Sequence, residues 1–434
     1  MTESLISLPL DSWQDPASVF ASIVATSPHC FWLDAGPDAS TGWSWVGVGA
    51  IEQNPERVRA VPLTGQESHA RWDAGPFHGG WVGWLGYEEA AARAGAPVSS
   101  VDRDAPPQMW LRARQYVAFD HDRQRAWAVA APDELARFAA EITAGSGYLV
   151  ASEPERIEAT ARDSPDEYAA LIERCRDAIR EGDAYQLCLT TRFTVEASVD
   201  PISTYARLRE RTPAHHGGLV RAGDVALASA SPERFLEVAD GVIRTRPIKG
   251  TRPRGIDEAS DAALATELLE SEKERAENVM IVDLMRNDLS RVCEPGTVGV
   301  DGLLEVESYP AVHQLVSTVS GVLTSGVTVG DLLDATFPAG SMTGAPKLSA
   351  MTILHDLERG PRGVFAGCFG WVGDDGALDL AMVIRSIVVH PGGAYVGAGG
   401  GITWRSDAAA EVAEVGIKAR GPLAAIGASL PHGW

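Results

Sequence analysis

Long apolar runs are missing from this chain. No segment approaches the roughly 20 unbroken apolar residues that a bilayer-crossing helix needs, so no membrane span is expected. Basic residues are also scarce: Lys plus Arg number 37 against 59 Asp plus Glu, a formal net charge of −22. Such a surface repels phosphate backbones and sets nucleic acid aside as a partner. It also means that an anionic substrate needs a locally positive or metal-loaded pocket. Cysteine is sparse and unpatterned. Cys30, Cys175, Cys188, Cys293 and Cys368 are odd in number and form no CxxC pair. That excludes a disulfide framework and a zinc site, suits a reducing cytoplasm, and leaves Cys188 expected as a buried inert thiol. The start, MTESLISLPLDSW, has neither a basic n-region nor a long apolar run, so no signal peptide is expected. Internal repeats and low-complexity tracts are lacking as well.

What is present is a chain of 434 residues, enough for one large or two medium domains, with 45% hydrophobic residues as in soluble globular proteins. Nine of the twelve tryptophans precede residue 130. Cys30–Leu33, Trp43–Val48, Gly79–Gly86, Tyr116–Phe119 and Ala126–Ala130 read as short strands separated by Pro, Gly and Asp. Asp133–Ala144 reads as a helix. The stretch 145–164 is the expected boundary between a β-rich domain over 1–150 and a second domain over 165–425. Beyond it, Ser164 is the expected N-cap of a helix ending at Glu181. Strands are expected at Tyr185–Val195, Ala226–Ser229, Phe235–Val238 and Val242–Arg246, then a long helix over Ala259–Met285. Ala366–Val372, Leu378–Val389 and Ala394–Gly400 read as a meander. A closing helix over Ala408–Arg420 is expected to stop at Gly421-Pro422. Strands and helices come in blocks, which predicts an α+β fold of large antiparallel sheets packed together and flanked by helices.

The two late helices carry paired carboxylates. On a continuous helix Glu267, Glu270, Glu274 and Glu277 fall within about 80°, and Glu411, Glu414 and Lys418 within about 60°. Crowded carboxylates are unfavourable unless a cation lies between them. If both faces look into one cleft, Mg²⁺ is the natural occupant, because it prefers oxygen ligands and keeps positions for water or substrate. The plainer alternative is two solvated helix faces.

Other segments point to an anion site. Gly397-Ala-Gly-Gly-Gly-Ile402 is not a dinucleotide fingerprint, and Phe337–Lys347 is not a Walker loop, yet both can present backbone N–H groups to a carboxylate. Arg385 lies inside an apolar strand-like run, as a carboxylate clamp or an edge residue. His313 among apolar residues fits a hydrogen-bonded core residue as well as a site residue. In Pro247-Ile-Lys-Gly-Thr-Arg252, Lys249 stands between an apolar pair and a glycine turn without an evident structural task.

These pieces resemble the chorismate-utilising enzymes. The resemblance covers about 165–422 and rests on long segments in the family's order: ASPERFL at 230–236, RPIKGTRPRG at 246–255 and ESEKERAENVMIVDLMRNDLSRV at 270–292. VESYPAVHQLVSTVSG at 306–321, FPAGSMTGAPK at 337–347 and GAGGGITWRSDAAAEVAEVGIKARGP at 397–422 follow. Before that only an outline is similar, such as GGWVGWLGYE at 79–88. The resemblance implies the anthranilate synthase component I-like fold, with a chorismate-binding catalytic domain over 165–425. It implies that Glu277 and Glu414 hold Mg²⁺ and that Glu274 and Glu411 support that shell. Arg385, Lys418 and the backbone of Gly399, Gly400 and Gly401 would grip carboxylates, and Thr251 and His313 would line the ring. Glu233 would be the general acid for the departing C4 hydroxyl, a poor leaving group without one.

Three positions bear on subtype. Members that add water carry a lysine where Gln186 stands here, which argues against an isochorismate or salicylate synthase. Anthranilate synthases read PIAGT and AEH where this chain reads PIKGT and Ala276-Glu277-Asn278. Both differences resemble the aminodeoxychorismate synthases, in which the lysine is a nucleophile. Lys249 would attack C2, and ammonia would then attack C4 and expel it, giving 4-amino-4-deoxychorismate for p-aminobenzoate and folate synthesis. An amine must be neutral to attack. Phe365 departs from the family, where many members carry tyrosine able to bind the enolpyruvyl carboxylate. The chain has no Cys-His-Glu arrangement for glutamine hydrolysis, so the resemblance implies a separate glutamine amidotransferase subunit as the source of ammonia. It also admits tryptophan bound in the N-terminal layer. The alternatives are an anthranilate synthase component I and a non-catalytic chorismate- or tryptophan-binding regulator.

Overall fold

The computed structural model describes residues 5–24, 27–65, 72–98, 102–145, 147–149, 151–309 and 312–434. His29–Asp34, Trp43–Ile51, Gly80–Leu85 and Arg125–Ala130 form strands where the patterns place them. The strand expected at Tyr116–Phe119 is the end of a longer one, Gln108–Asp120. Helix Pro165–Glu181 begins on a reciprocal cap. Ser164 Oγ accepts from the Glu167 N–H, the Glu167 carboxylate accepts from the Ser164 N–H, and Gly182 closes the helix in the left-handed region.

Among the described residues twenty strands share one hydrogen-bonded network. Gln108–Asp120 divides it into two arms, because it pairs with both Trp43–Ile51 and Gly80–Leu85. The first arm continues through His29–Asp34, His216–Ala222, Val225–Ser231, Ser386–His390, Gly393–Ile402 and Gln186–Val195. The second runs through Cys368–Gly373, Leu378–Met382, Arg234–Ala239, Val242–Thr245 and Val312–Val322, which pairs with Ile248–Pro253 and Gly299–Ser308. These pairings are antiparallel. The α+β class with large antiparallel sheets is therefore as expected. Strands from before residue 150 and after residue 165 lie side by side in both arms. The two buried cores mix them likewise: Trp45, Phe77 and Trp371 share one, and Trp32, Phe119 and Phe193 the other.

At two short connections the chain steps directly from one arm to the other. Val225–Ser231 and Arg234–Ala239 belong to different arms with only Pro232 and Glu233 between them. Leu378–Met382 and Ser386–His390 also belong to different arms, so the run expected as one strand is two, and the expected meander is divided. Arg385, at φ 52°, makes this second step. The crossings lie together: the Met382 N–H donates to the Glu233 carbonyl at 3.0 Å and the Ala230 N–H to the Arg385 carbonyl at 3.2 Å.

Two helix boundaries differ from expectation. The long helix is broken into Glu258–Glu270 and Glu272–Leu289, because Ser271 leaves helical geometry and its Oγ caps the Glu274 N–H. The closing helix runs through Pro422 to Ile426, where Gly427 caps it. The hydrogen bond lost at proline is offset by burial of Leu423, Ala425 and Ile426 in the core.

A buried ion pair braces the first arm. Arg362 donates to both Glu358 oxygens, at 2.8 and 2.7 Å, and to the carbonyls of Met342 and Cys188. The Glu358 carboxylate also accepts from the Thr190 N–H at 2.9 Å. Removing one member strands the other charge in a site that is almost dry. Glu358→Ala should cost roughly 3–5 kcal/mol in denaturant unfolding. A loss below about 1 kcal/mol, the level of an exposed pair, would contradict a buried pair here.

Candidate active site

The candidate residues gather near the two crossings, close enough for their charges to act on one another. Helix Glu272–Leu289 packs on Val312–Val322 of the second arm, and helix Ala408–Ile426 on Gly393–Ile402 of the first. Each arm thus brings one acidic helix. Glu277 and Glu411 are buried, Glu274 is largely covered and Glu414 is half-exposed. The break at Ser271 removes the other two acids from this set. Glu267 makes two bonds to Arg252, at 2.6 and 2.9 Å, and Glu270 is exposed on the preceding helix.

Lys249 is on Ile248–Pro253, whose pairing with Val312–Val322 shifts register between Ile248 and Thr251. Gly250 makes that bulge possible. Its φ is 81°, and a Cβ there would lie 2.7 Å from Leu268 Cδ1 and 3.0 Å from Glu274 Cγ. The strand therefore presses against the junction of the two acidic segments. The Lys249 ammonium has no hydrogen bond or ion pair among the described residues. Its field nevertheless acts on Glu233, Glu277 and Glu414, which places it among the candidate acid and metal ligands.

Glu233 occupies the first crossing and is buried. Burial pushes its carboxyl up to about 7, against the opposing pull of Lys249, a hydrogen bond from Ser341, and Lys418. A carboxyl in that range holds a proton to donate near neutral pH. Burial also pushes Glu277 up, with Lys249 and Lys273 opposing. In Glu414 the burial effect is outweighed by Lys418, Lys273 and Lys249, and its carboxyl is held below the usual range.

Arg385 occupies the second crossing, partly buried and without an ion pair among the described residues. Burial lowers its guanidinium from the ordinary value while Glu414 pulls the other way. Lys418 is anchored, donating to the Gly399 carbonyl at 2.9 Å and to Glu414 Oε1 at 2.5 Å. Gly399, Gly400 and Gly401 face Thr190, Leu189 and Cys188 across the strand pair. A Cβ on Gly401 would lie 2.3 Å from Gln186 Nε2. Both polar atoms of that buried amide lack a hydrogen-bond partner among the described residues.

The remaining residues singled out in the sequence have varied settings. His313 is buried, with Nε2 2.9 Å from Asp261 and Nδ1 2.8 Å from Ser308, so both ring nitrogens are engaged. Thr251 is exposed beside the bulge. Phe365 packs its ring against Gly397, behind the glycine strand. Lys347 is tied to Asp288 and the Thr336 carbonyl, and Cys188 is a buried thiol pushed up by burial. The residue that sequence reasoning missed is Lys273. Its Nζ lies 4.0 Å from Glu277 Oε1 and 3.6 Å from Glu411 Oε1, joining the two helices. Its i,i+4 spacing to Glu277 was a readable signal.

The donor set fits a hard dication in chemistry: four carboxylates from two helices, one with a buried oxygen, Glu277 Oε1, that has no hydrogen-bond partner among the described residues. Among the described residues no three carboxylate, imidazole or thiol groups are gathered as a ligand set. An ammonium stands among the carboxylates instead.

Residues 13–424 match the family described as chorismate binding enzyme. The aminodeoxychorismate synthase of Streptomyces pristinaespiralis is 40% identical over 387 residues, 85% of this chain and 53% of that protein. Anthranilate synthase component 1 of Thermus thermophilus is 39% identical over 445 residues, 95% of each. The crystal structure of anthranilate synthase component I from Streptococcus pneumoniae superposes with a TM-score of 0.75 at 28% identity, covering 97% of this chain and 92% of that one. The chain spans between 40% and 65% of the length of four aminodeoxychorismate synthases that it matches.

The buried acid has a measurable signature. The Glu233 carboxyl sits at about 7 in the fold against an ordinary 4.5, so the folded chain holds its proton more tightly. That contribution is full below 4.5 and is lost as pH rises through about 7. Glu233→Gln does not titrate. Its stability relative to the parent should therefore rise between about pH 5 and about pH 8, read as the difference in unfolding midpoints. A pH-independent difference would contradict a carboxyl raised by burial.

Proposed function

The chain belongs to the chorismate-binding enzymes, and we propose that within this family it aminates chorismate at C4, forming 4-amino-4-deoxychorismate. The observation that carries the reading is Lys249, an unpaired ammonium within the field of Glu233, Glu277 and Glu414.

The reaction follows from these groups. Lys249 first gives its ammonium proton to solvent; the neutral amine then attacks C2, the two ring double bonds shift, and the C4–O bond breaks. Glu233 gives its proton to the departing hydroxyl, which leaves as water. Ammonia then attacks C4, the double bonds shift back, and the bond between C2 and Lys249 breaks. The surplus proton on the new C4 amine returns to the Glu233 carboxylate. Arg385 and Lys418 orient the substrate's carboxylates. Glu277 and Glu414 would hold Mg²⁺, with Glu274 and Glu411 supporting them. When bound, the ion supplies positive charge opposite the ring carboxylate. Ammonia would come from a glutamine amidotransferase, and the product would feed p-aminobenzoate and folate synthesis.

A second reading is ortho amination. Alignments with anthranilate synthase component 1 proteins extend over as much as 95% of both chains, more than the aminodeoxychorismate synthases allow. Lys249 and Asn278 favour the first reading.

Incubation with chorismate, ammonium and Mg²⁺ should yield 4-amino-4-deoxychorismate by chromatography. Lys249→Ala should lower that rate by at least about 100-fold while chorismate still binds. Anthranilate with release of pyruvate, or full activity in Lys249→Ala, would contradict the proposal.

A further inference from the structure

We propose that Lys273 is a built-in counter-ion that competes with the dication for the two-helix carboxylate cluster and so sets the affinity of the site for its metal. The inference rests on the Mg²⁺ reading given above, but it concerns a residue outside the ligand set.

Four observations carry it. Lys273 is the cation that joins the helices: its Nζ is 3.6 Å from Glu411 Oε1 on one and 4.0 Å from Glu277 Oε1 on the other. The neighbouring cations do not join the helices: Lys418 is bound to Glu414 of its own helix and to the Gly399 carbonyl, Arg252 to Glu267 and Glu274, and Lys249 makes no ion pair among the described residues. Glu277 Oε1 is buried without a hydrogen-bond donor among the described residues, and its charge is offset by Lys249 and, after it, by Lys273. The Lys273 side chain is 46% exposed, so its long flexible stem has a path to solvent along which the ammonium can withdraw.

The physical argument is one of charge exclusion. A dication and an ammonium within a few ångströms of the same two oxygens repel one another strongly in a partly desolvated cleft. Metal entry therefore requires Lys273 to leave both carboxylates, and metal departure lets it return. The arrangement keeps like charges on the two helices from forcing the cleft apart, at the expense of metal affinity. It also accounts for why the carboxylates are spread around an ammonium rather than gathered as a ligand set.

The test is calorimetric titration of MgCl₂, without chorismate, into the parent chain, Lys273→Met and Lys273→Arg, with melting temperatures alongside. Methionine keeps the apolar stem and removes the charge; arginine keeps the charge. Lys273→Met should bind Mg²⁺ about 10-fold more tightly than the parent. Lys273→Arg should bind it no more tightly than the parent. Without added Mg²⁺, Lys273→Met should melt below the parent, and Mg²⁺ should close that gap. Equal or weaker Mg²⁺ binding by Lys273→Met would overturn the inference, as would a gain of the same size in Lys273→Arg. Absence of Mg²⁺ binding in all three proteins would instead overturn the metal reading and the competition with it.

Discussion

Two helices from different arms of the sheet bring four carboxylates to one cleft, in a chain whose formal net charge is already −22. The substrate proposed for that cleft is itself a dicarboxylate. Everything about the site depends on balancing this charge. Lys249, Lys273, Lys418 and Arg385 converge on it, and each has a different degree of freedom. Lys418 is anchored to backbone, Lys273 spans the two helices, and Lys249 and Arg385 are unpaired among the described residues. Unpaired cations in a partly desolvated cleft are available for an anion, because no internal carboxylate has to be given up when it arrives.

The fold creates the cleft by switching arms twice at one place. A strand that changes sheets leaves a short stretch of backbone out of register with both. Here those stretches carry Glu233 and Arg385, the proposed proton donor and anion-binding cation, and hydrogen bonds join the crossings. The bulge at Gly250 brings the Lys249 strand against the Ser271 junction in the same region. Glu233 and Lys249, close in sequence, are therefore joined by Arg385 from a segment more than a hundred residues later.

Much of this was legible in the sequence, and the failures have physical causes. Strand positions were readable because β-branched and aromatic residues alternate between Gly, Pro and Asp. The cap at Ser164 was readable because Ser and Glu three residues apart satisfy each other's orphan groups. Pairing partners were not readable: Cys368–Gly373 pairs with Gly80–Leu85, a non-local choice that no local pattern encodes. The stop expected at Gly421-Pro422 failed because core burial outweighed proline's lost hydrogen bond. The acidic arc failed because one serine, Ser271, ended the helix that carried half of it. The motifs singled out the acids and Lys249, which the fold brings near one another, while the engagement of both His313 nitrogens by Asp261 and Ser308 required the tertiary structure.

The claim at the centre is that Lys249 becomes a nucleophile toward carbon. Rapid quenching during turnover with chorismate at limiting ammonium, followed by peptide mass spectrometry, tests it most directly. The account predicts a peptide containing Lys249 that carries chorismate less one water, present during turnover and cleared when ammonium is added. Turnover to aminated product with that lysine unmodified at every time point would contradict it.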